Sequence, residues 1–431
     1  MTIAGEPVAV PSLDPMAPEN RADPYGMYRW LRENDPIRRA ADGSWILTRY
    51  ADGASILRDP RFSTNPSWLR EGAVVGAENH PVRQVGTSLM MFLDPPDHTR
   101  LRSLVGKAFT PRRVEAMRAQ VQHLVDELLD GVSHQEDMDT AARGGEMDTA
   151  ARGGDMDIVA DLGYPLPVAV ICELLGVPSF DREKFRQMSS DASRLLDGGT
   201  LDPEAQERGV VAGMHLFQYF TDLVEERRPR PGDDLLSAMI AAEEAGDRLT
   251  HQELITTATL LFVAGHETTT NLLGNAMLAL LRHPDQLQRL RDDPSLIRSA
   301  VEELLRYDSP VQFTARITTS DVEVGGEAIP AGEQVIVLVG AANRDPAQFP
   351  EPDRLDLSRA ENRHLSFAAG PHFCLGAALA RLEAQVAIST LLRRFPHLEL
   401  VTTEPEYREH FVLRGVKELR VRLSPGQSGV G

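Results

Sequence analysis

Phe367-Ala-Ala-Gly370-Pro-His372-Phe-Cys374-Leu-Gly376 is the stretch on which the reading of this chain turns. It holds one of only two cysteines in 431 residues, set between glycines. The run that follows, LGAALARLEAQVAISTLLRRF, repeats apolar side chains at helical spacing through Leu375, Leu379, Leu382 and Val386. Cys374 therefore falls at or just before a helix N-terminus, where free backbone N–H groups and the macrodipole favour an anion and lower a thiol pKa. Gly370 and Gly376 carry no side chain to keep a flat ligand off the backbone. The pattern describes a thiolate offered to something large and planar. A buried structural cysteine in a glycine-containing loop is the alternative.

A thiolate presented in this way is what axial ligation of a haem iron by cysteine requires, the sulfur pushing electron density toward bound dioxygen. Phe367, Gly370, His372, Cys374 and Gly376 match all five fixed positions of FxxGxHxCxG, and the string resembles the haem-binding signature of the cytochrome P450 family. The resemblance implies a mainly α fold with small β-sheets (α+β) in a single large domain. It also implies heme b (protoporphyrin IX iron) as cofactor, Cys374 as its iron ligand, and Phe367 and Gly376 as flanking cofactor contacts.

The bulk properties fit a globular protein: 42% hydrophobic and 25% charged residues. A net charge of −19, from 45 basic and 64 acidic residues, argues against nucleic acid as a partner. Two cysteines cannot build a disulfide framework, and a reducing compartment fits best. The Pro-rich N-terminus lacks the basic region and apolar core of a signal peptide. The longest apolar region, 254–281, is interrupted by His266-Glu267-Thr268-Thr269-Thr270, so a buried helix is expected rather than a membrane span. The family's membrane-bound members carry an N-terminal anchor; the resemblance here is to the soluble bacterial type, expected to be a cytoplasmic monomer.

Helical spacing marks 25–34, 97–107, 112–129, 158–175, 204–227, 252–281 and 300–306. Strand patterns are fewer: 44–48, 322–324, 334–339, 407–413 and 418–423. No Gly/Ser-rich linker divides the chain. Residues 1–22 read as an extended tail, 23–424 as one domain and 425–431 as a C-terminal tail. Within the domain, MDTAARGGE (138–146) is followed directly by MDTAARGGD (147–155). Two copies are too few for a solenoid, and their Gly-Gly pairs and charges suit an exposed loop.

A second motif lies inside the long apolar run, Ala264-Gly265-His266-Glu267-Thr268-Thr269. An acid and an alcohol in a buried helix are costly unless used. Ala264 and Thr268, continuing the stripe of Thr257 and Leu261, could cover a planar cofactor, and Gly265 would leave a gap for a small ligand. The segment resembles the family's oxygen-activation motif, which assigns proton delivery to Glu267 and Thr268. Alternatively, Thr268 only back-bonds to the helix carbonyl four residues earlier.

Glu303-Leu-Leu-Arg306 places an acid and an arginine three apart on one helical face, a weak pattern alone. By context it resembles the family's ExxR, which implies a buried network with a downstream arginine, matched by Arg354. His98 and Arg102, four apart in DPPDHTRLRSL, share a helical face behind Asp97, a plausible N-cap. The resemblance assigns His98, Arg102, Arg316 and His372 to the two haem propionates, which need cationic partners. A solvated basic face is the alternative for Arg102 alone. Cys172, among apolar helical neighbours, reads as a packed core thiol.

No convincing GxGxxG-type nucleotide motif is present, so the electrons for oxygen cleavage must come from a separate protein. The resemblance implies a ferredoxin fed by a reductase. Lys107, Arg112 and Arg113 form either its docking patch or an ordinary solvated helix end. Segments 62–91, 186–216, the face around Phe262, 311–314 and 411–413 are expected to line a pocket for a small-molecule substrate that is largely apolar. The implied activity is that of a haem-thiolate monooxygenase, inserting one oxygen atom of O2 by hydroxylation or epoxidation, with secondary-metabolite biosynthesis as the setting. The alternatives are a peroxide-using or oxidative-coupling haem-thiolate enzyme, and a non-catalytic haem sensor or carrier.

Overall fold

A computed structural model of the chain describes residues 14, 17–71, 89–142, 154–178, 185–200, 203–245 and 249–424, with the side chains of 133–142, 198–200 and 424 excepted. Helices dominate, around a central 32-residue helix, His251–Arg282. Its start is fixed by a capping box: the Thr250 hydroxyl accepts from Glu253 N–H at 3.2 Å, and Thr250 N–H donates to Glu253 Oε2 at 2.9 Å. The same Glu253 pairs with Arg100 at 2.6 Å, tying the helix Asp97–Val105 to the central one. The main apolar core gathers around this helix, with Pro165–Leu175, Pro203–Arg227, Ile297–Tyr307 and Ala377–Arg394 packed about it.

The remaining core is built on a five-stranded mixed sheet near the N-terminus. Trp45–Leu47 runs parallel to Gln334–Leu338, which pairs antiparallel with Phe313–Thr318 in the register Arg316↔Val335. Ile37–Arg39 and Phe62–Ser63 form the edges. Arg420–Ser424 pairs with His397–Leu400 and with Asp155–Asp157, and Val322–Val324 with Glu327–Ile329.

Several local expectations change. Residues 407–413 form no strand; isolated bridges Val311↔Leu413 and Tyr407↔Val416 hold them in a strap. The helix Arg118–Ala142 runs into the first repeat copy, and Asp155 is already in a strand; residues 143–153 of the repeat lie outside the described residues. The supposed N-terminal tail ends in a short helix, Pro18–Ala22, whose Arg21 and Ala22 carbonyls accept from Arg414. Most of the remaining tail, 1–13 and 15–16, lies outside the described residues, as do the C-terminal tail 425–431 and part of the expected substrate segments, 72–88 and 201–202. The segment Ile158–Leu175 is apolar and long enough to cross a membrane, yet 72% of it is buried inside the protein. Its Cys172 is a core thiol with no exposed surface.

Candidate active site

The cysteine loop is held in place before its helix begins. Cys374 N–H donates to Phe367 O at 2.9 Å, and the helix starts three residues later at Ala377. Arg381, one turn into that helix, lays its guanidinium over the Phe367 ring at 4.4 Å and pairs with Glu302 at 2.6 Å. Burial pushes the Glu302 carboxyl up, but hydrogen bonds from His364 and Arg381 outweigh it and bring it to about 2. The two glycines serve different ends. Gly370 has φ +70°, and a Cβ there would strike the carbonyl of Leu57, so its close approach is to backbone and not to a ligand. Beside Gly376 a Cβ would meet nothing within 4 Å, which leaves the approach to the sulfur clear.

The expected lowering of the thiol is outweighed. Burial pushes Cys374 above its ordinary value, while N–H groups of Gly376 and Ala377 and the charges of Arg102 and Arg381 pull the other way. Its surface is nonetheless accessible, because the residue is enclosed on most sides but open at one.

Glu303 and Arg306 are fully buried and paired at 2.8 Å. Arg306 also donates to the carbonyls of Asn343, Pro352 and Arg354. The third side chain of the network is Arg359, whose Nε lies 3.0 Å from Glu303 Oε2, and not Arg354. The Arg354 guanidinium is exposed and pairs with Glu351; only its backbone joins the network. The adjoining turn fixes the cysteine loop through Asn343, whose Oδ1 accepts from Leu365 N–H at 2.7 Å and whose Nδ2 donates to Ser366.

His98, Arg102, Arg316 and His372 converge. The His98 and His372 rings lie 4.0 Å apart, and Arg102 Nη2 donates to Phe373 O at 2.5 Å. Arg316 is 4% exposed and donates to Thr314 and Ala315 O. Burial first, then the charges of His98, Arg316 and Arg102, drives His372 down to about 3; burial lowers Arg316 to about 10. No carboxylate pairs with either arginine among the described residues. Two guanidiniums without a carboxylate partner, beside imidazoles that burial and those charges hold neutral, are matched to anions brought from outside the chain. Asp97 does not cap their helix; it is the first helical residue, its carboxylate accepting from Arg100.

On the central helix, Thr268 Oγ1 donates to Ala264 O at 3.0 Å, the back-bond foreseen as the alternative. The hydroxyl oxygen keeps its capacity to accept. Glu267, one position away and so about 100° around the helix, turns outward to Arg408 Nη1 at 2.8 Å. Behind this pair lies a cavity of about 400 Å³, lined by Arg186, Arg194, Glu267, Arg408, Glu409 and Lys417 among others. A Cβ at Gly265 would meet Ile171 at 3.1 Å. That glycine lets two helices pack closely and leaves no gap for a ligand.

Phe262 is likewise core, its ring 4.8 Å from that of Phe185, and Phe62 packs with Trp45 in the sheet. Phe411 remains at a partly open wall, stacked on Phe313 at 4.3 Å. Lys107, Arg112 and Arg113 are exposed. Sequence reasoning missed Glu302, Arg359, Arg381 and Arg408; Glu302 and Arg381 lie on helices, where spacing offers a signal, and the other two lie in irregular chain.

The thiol, the open side at Gly376 and the cationic cluster suit an iron porphyrin with two carboxylates. The chain belongs to the cytochrome P450 family: the family model described as Cytochrome P450 matches residues 76–422. It is a monooxygenase of that family and uses a haem iron cofactor. It is 43% identical over 410 residues to the vitamin D(3) 25-hydroxylase of Pseudonocardia autotrophica, covering 94% of each chain. To the 6-deoxyerythronolide B hydroxylase of Saccharopolyspora erythraea it is 41% identical, covering 93% of this chain and 96% of that one. A solved structure of P450BioI with a hexadec-9Z-enoic acid ligated acyl carrier protein superposes with a TM-score of 0.84 at 38% identity, covering 94% of this chain and 99% of that one.

Proposed function

We propose that the protein inserts one atom of dioxygen into a C–H or C=C bond of a mostly apolar molecule of secondary metabolism. The other atom leaves as water, and a separate ferredoxin and reductase supply two electrons. The observation that carries this reading is the convergence of the Cys374 thiol with two arginines and two histidines, joined where Arg102 binds the Phe373 carbonyl. We place the enzyme in the cytoplasm, with 23–424 as its one domain.

Cys374 is the proposed iron ligand of heme b, and His98, Arg102, Arg316 and His372 would hold its propionates. When bound, the haem supplies a thiolate-ligated iron able to activate dioxygen. Because burial raises the thiol, ligation must displace its proton, and the N–H groups of Gly376 and Ala377 then stabilise the sulfur's charge. Phe367 and Gly376 shape the sulfur's surroundings, the one by packing under Arg381 and the other by leaving space. Thr268 Oγ accepts and passes a proton, and Glu267, held by Arg408 at the charged cavity, relays protons to it. Gly265 keeps that helix close to Ile171.

The reduced carbon monoxide adduct is expected to show the red-shifted Soret band of a thiolate-ligated haem; a histidine-type band would remove Cys374 from its role. Thr268→Ala should keep that band and release electrons as hydrogen peroxide. An unchanged product yield in this variant would remove Thr268 from proton delivery.

A further inference from the structure

The acid of the central helix is oriented by a part of the chain far from it in sequence. Glu267 is 3% exposed, and its Oε2 binds Arg408, which lies in no helix or strand. Arg408 belongs to the strap 407–416, whose position is determined at several points. Arg408 N–H donates to Gly415 O at 2.9 Å, closing the strap on itself. Asn275, two turns beyond Glu267 on the central helix, donates to Arg414 O at 2.9 Å, and Gly415 sits so close to Asn271 that no Cβ would fit. At its outer end, Phe411 and Val412 N–H both donate to Asp197 Oδ1, at 3.0 and 2.8 Å.

The other side of the carboxyl faces His266. Nδ1 of this fully buried ring lies 2.8 Å from Phe262 O and must carry the proton to bond it. Nε2 is then a lone pair, 4.0 Å from Glu267 Oε1 and without a hydrogen-bond partner. Burial holds this imidazole neutral by lowering it from its usual range. Glu267 thus sits between an acceptor and a cation, with the charged cavity as its open side. The buried pair Glu303–Arg306 has no such opening.

We propose that Arg408 is a positioning residue for Glu267, and that the strap 407–416 sets the acid's orientation and the substrate wall at Phe411 as one rigid piece. The inference rests on the reading of Glu267 as a proton carrier. If Arg408 acts through Glu267, its loss should matter only while the acid is present.

The test uses the full haem-loaded chain, a surrogate ferredoxin and reductase, and dioxygen as the only oxidant. Glu267→Gln, Arg408→Gln, Arg408→Lys and the double variant Glu267→Gln/Arg408→Gln are compared. Arg408→Gln should raise the ratio of hydrogen peroxide to water formed by roughly tenfold, Arg408→Lys should restore most of the loss, and the double variant should match Glu267→Gln alone. Additive losses in the double variant, or no effect of Arg408→Gln, overturn the proposal. If Glu267→Gln itself changes nothing, the proton-carrier reading fails first and the proposal with it. An infrared readout needs no turnover: subtracting the Glu267→Gln spectrum identifies the Glu267 carboxylate band, with or without haem. That band should shift in Arg408→Gln and return toward its place in Arg408→Lys; an unmoved band overturns the assignment even if a variant is unstable.

Discussion

Two clusters of buried charge flank the cysteine loop, and they are built on opposite plans. In the first, Glu303, Arg306 and Arg359 meet one another and the carbonyls of Asn343, Pro350, Pro352 and Arg354. In the second, His98, Arg102, Arg316 and His372 face one another, and the nearest acid, Asp94, is engaged by Ser63 and Thr64. Polar groups satisfied from within the chain form a scaffold. Guanidiniums left without a carboxylate, beside neutral imidazoles, are a seat for a ligand of opposite charge.

The largest test of this contrast is stability. Glu303→Ala leaves Arg306 buried without its carboxylate and should cost about 3–5 kcal/mol, read as a fall in the urea midpoint. Arg316→Gln, at similar depth, should leave the haem-free chain no less stable; equal losses in both variants would break the comparison. Arg316→Gln should instead weaken haem uptake, by roughly tenfold for the loss of one charge-assisted hydrogen bond, measured by haem titration.

A smaller effect is a pH slope. His372 is pushed to about 3 in the folded chain, well under its ordinary value near 6.5, so the unfolded state binds the proton first. Its contribution is present in full above about 6.5 and is lost as pH falls toward 3. The haem-free chain should lose stability across that window, and His372→Gln should remove roughly one proton's worth of the slope. The smallest expected effect separates two arginines. Arg354→Ala should stay within about 0.5 kcal/mol of the parent, while Arg359→Ala should cost visibly more in the same denaturation experiment.

That last pair shows where reading the chain alone stops. The helix Tyr25–Asn34 and the central helix were legible because apolar spacing acts within a few residues. The Cys374 loop was legible because its motif is local. Arg354 and Arg359 lie five apart in an irregular turn, where no periodicity says which guanidinium points inward. Arg408 reaches Glu267 across 141 positions, and only the folded strap brings it there. Gly265 and Gly370 illustrate the converse: their small size was legible, but whether a ligand, a helix or a carbonyl fills the space depends on packing.

The seating of Gly370 on Leu57 bears on when the protein becomes competent during its synthesis. Tyr50 also grips Arg363 O across 313 positions, and Thr64 reaches His372 across 308. One wall of the cysteine loop is thus synthesised more than 300 positions before the loop itself. Contacts of such separation close late, so the cofactor has no finished seat on a nascent chain until the loop and its distant wall have both emerged and met.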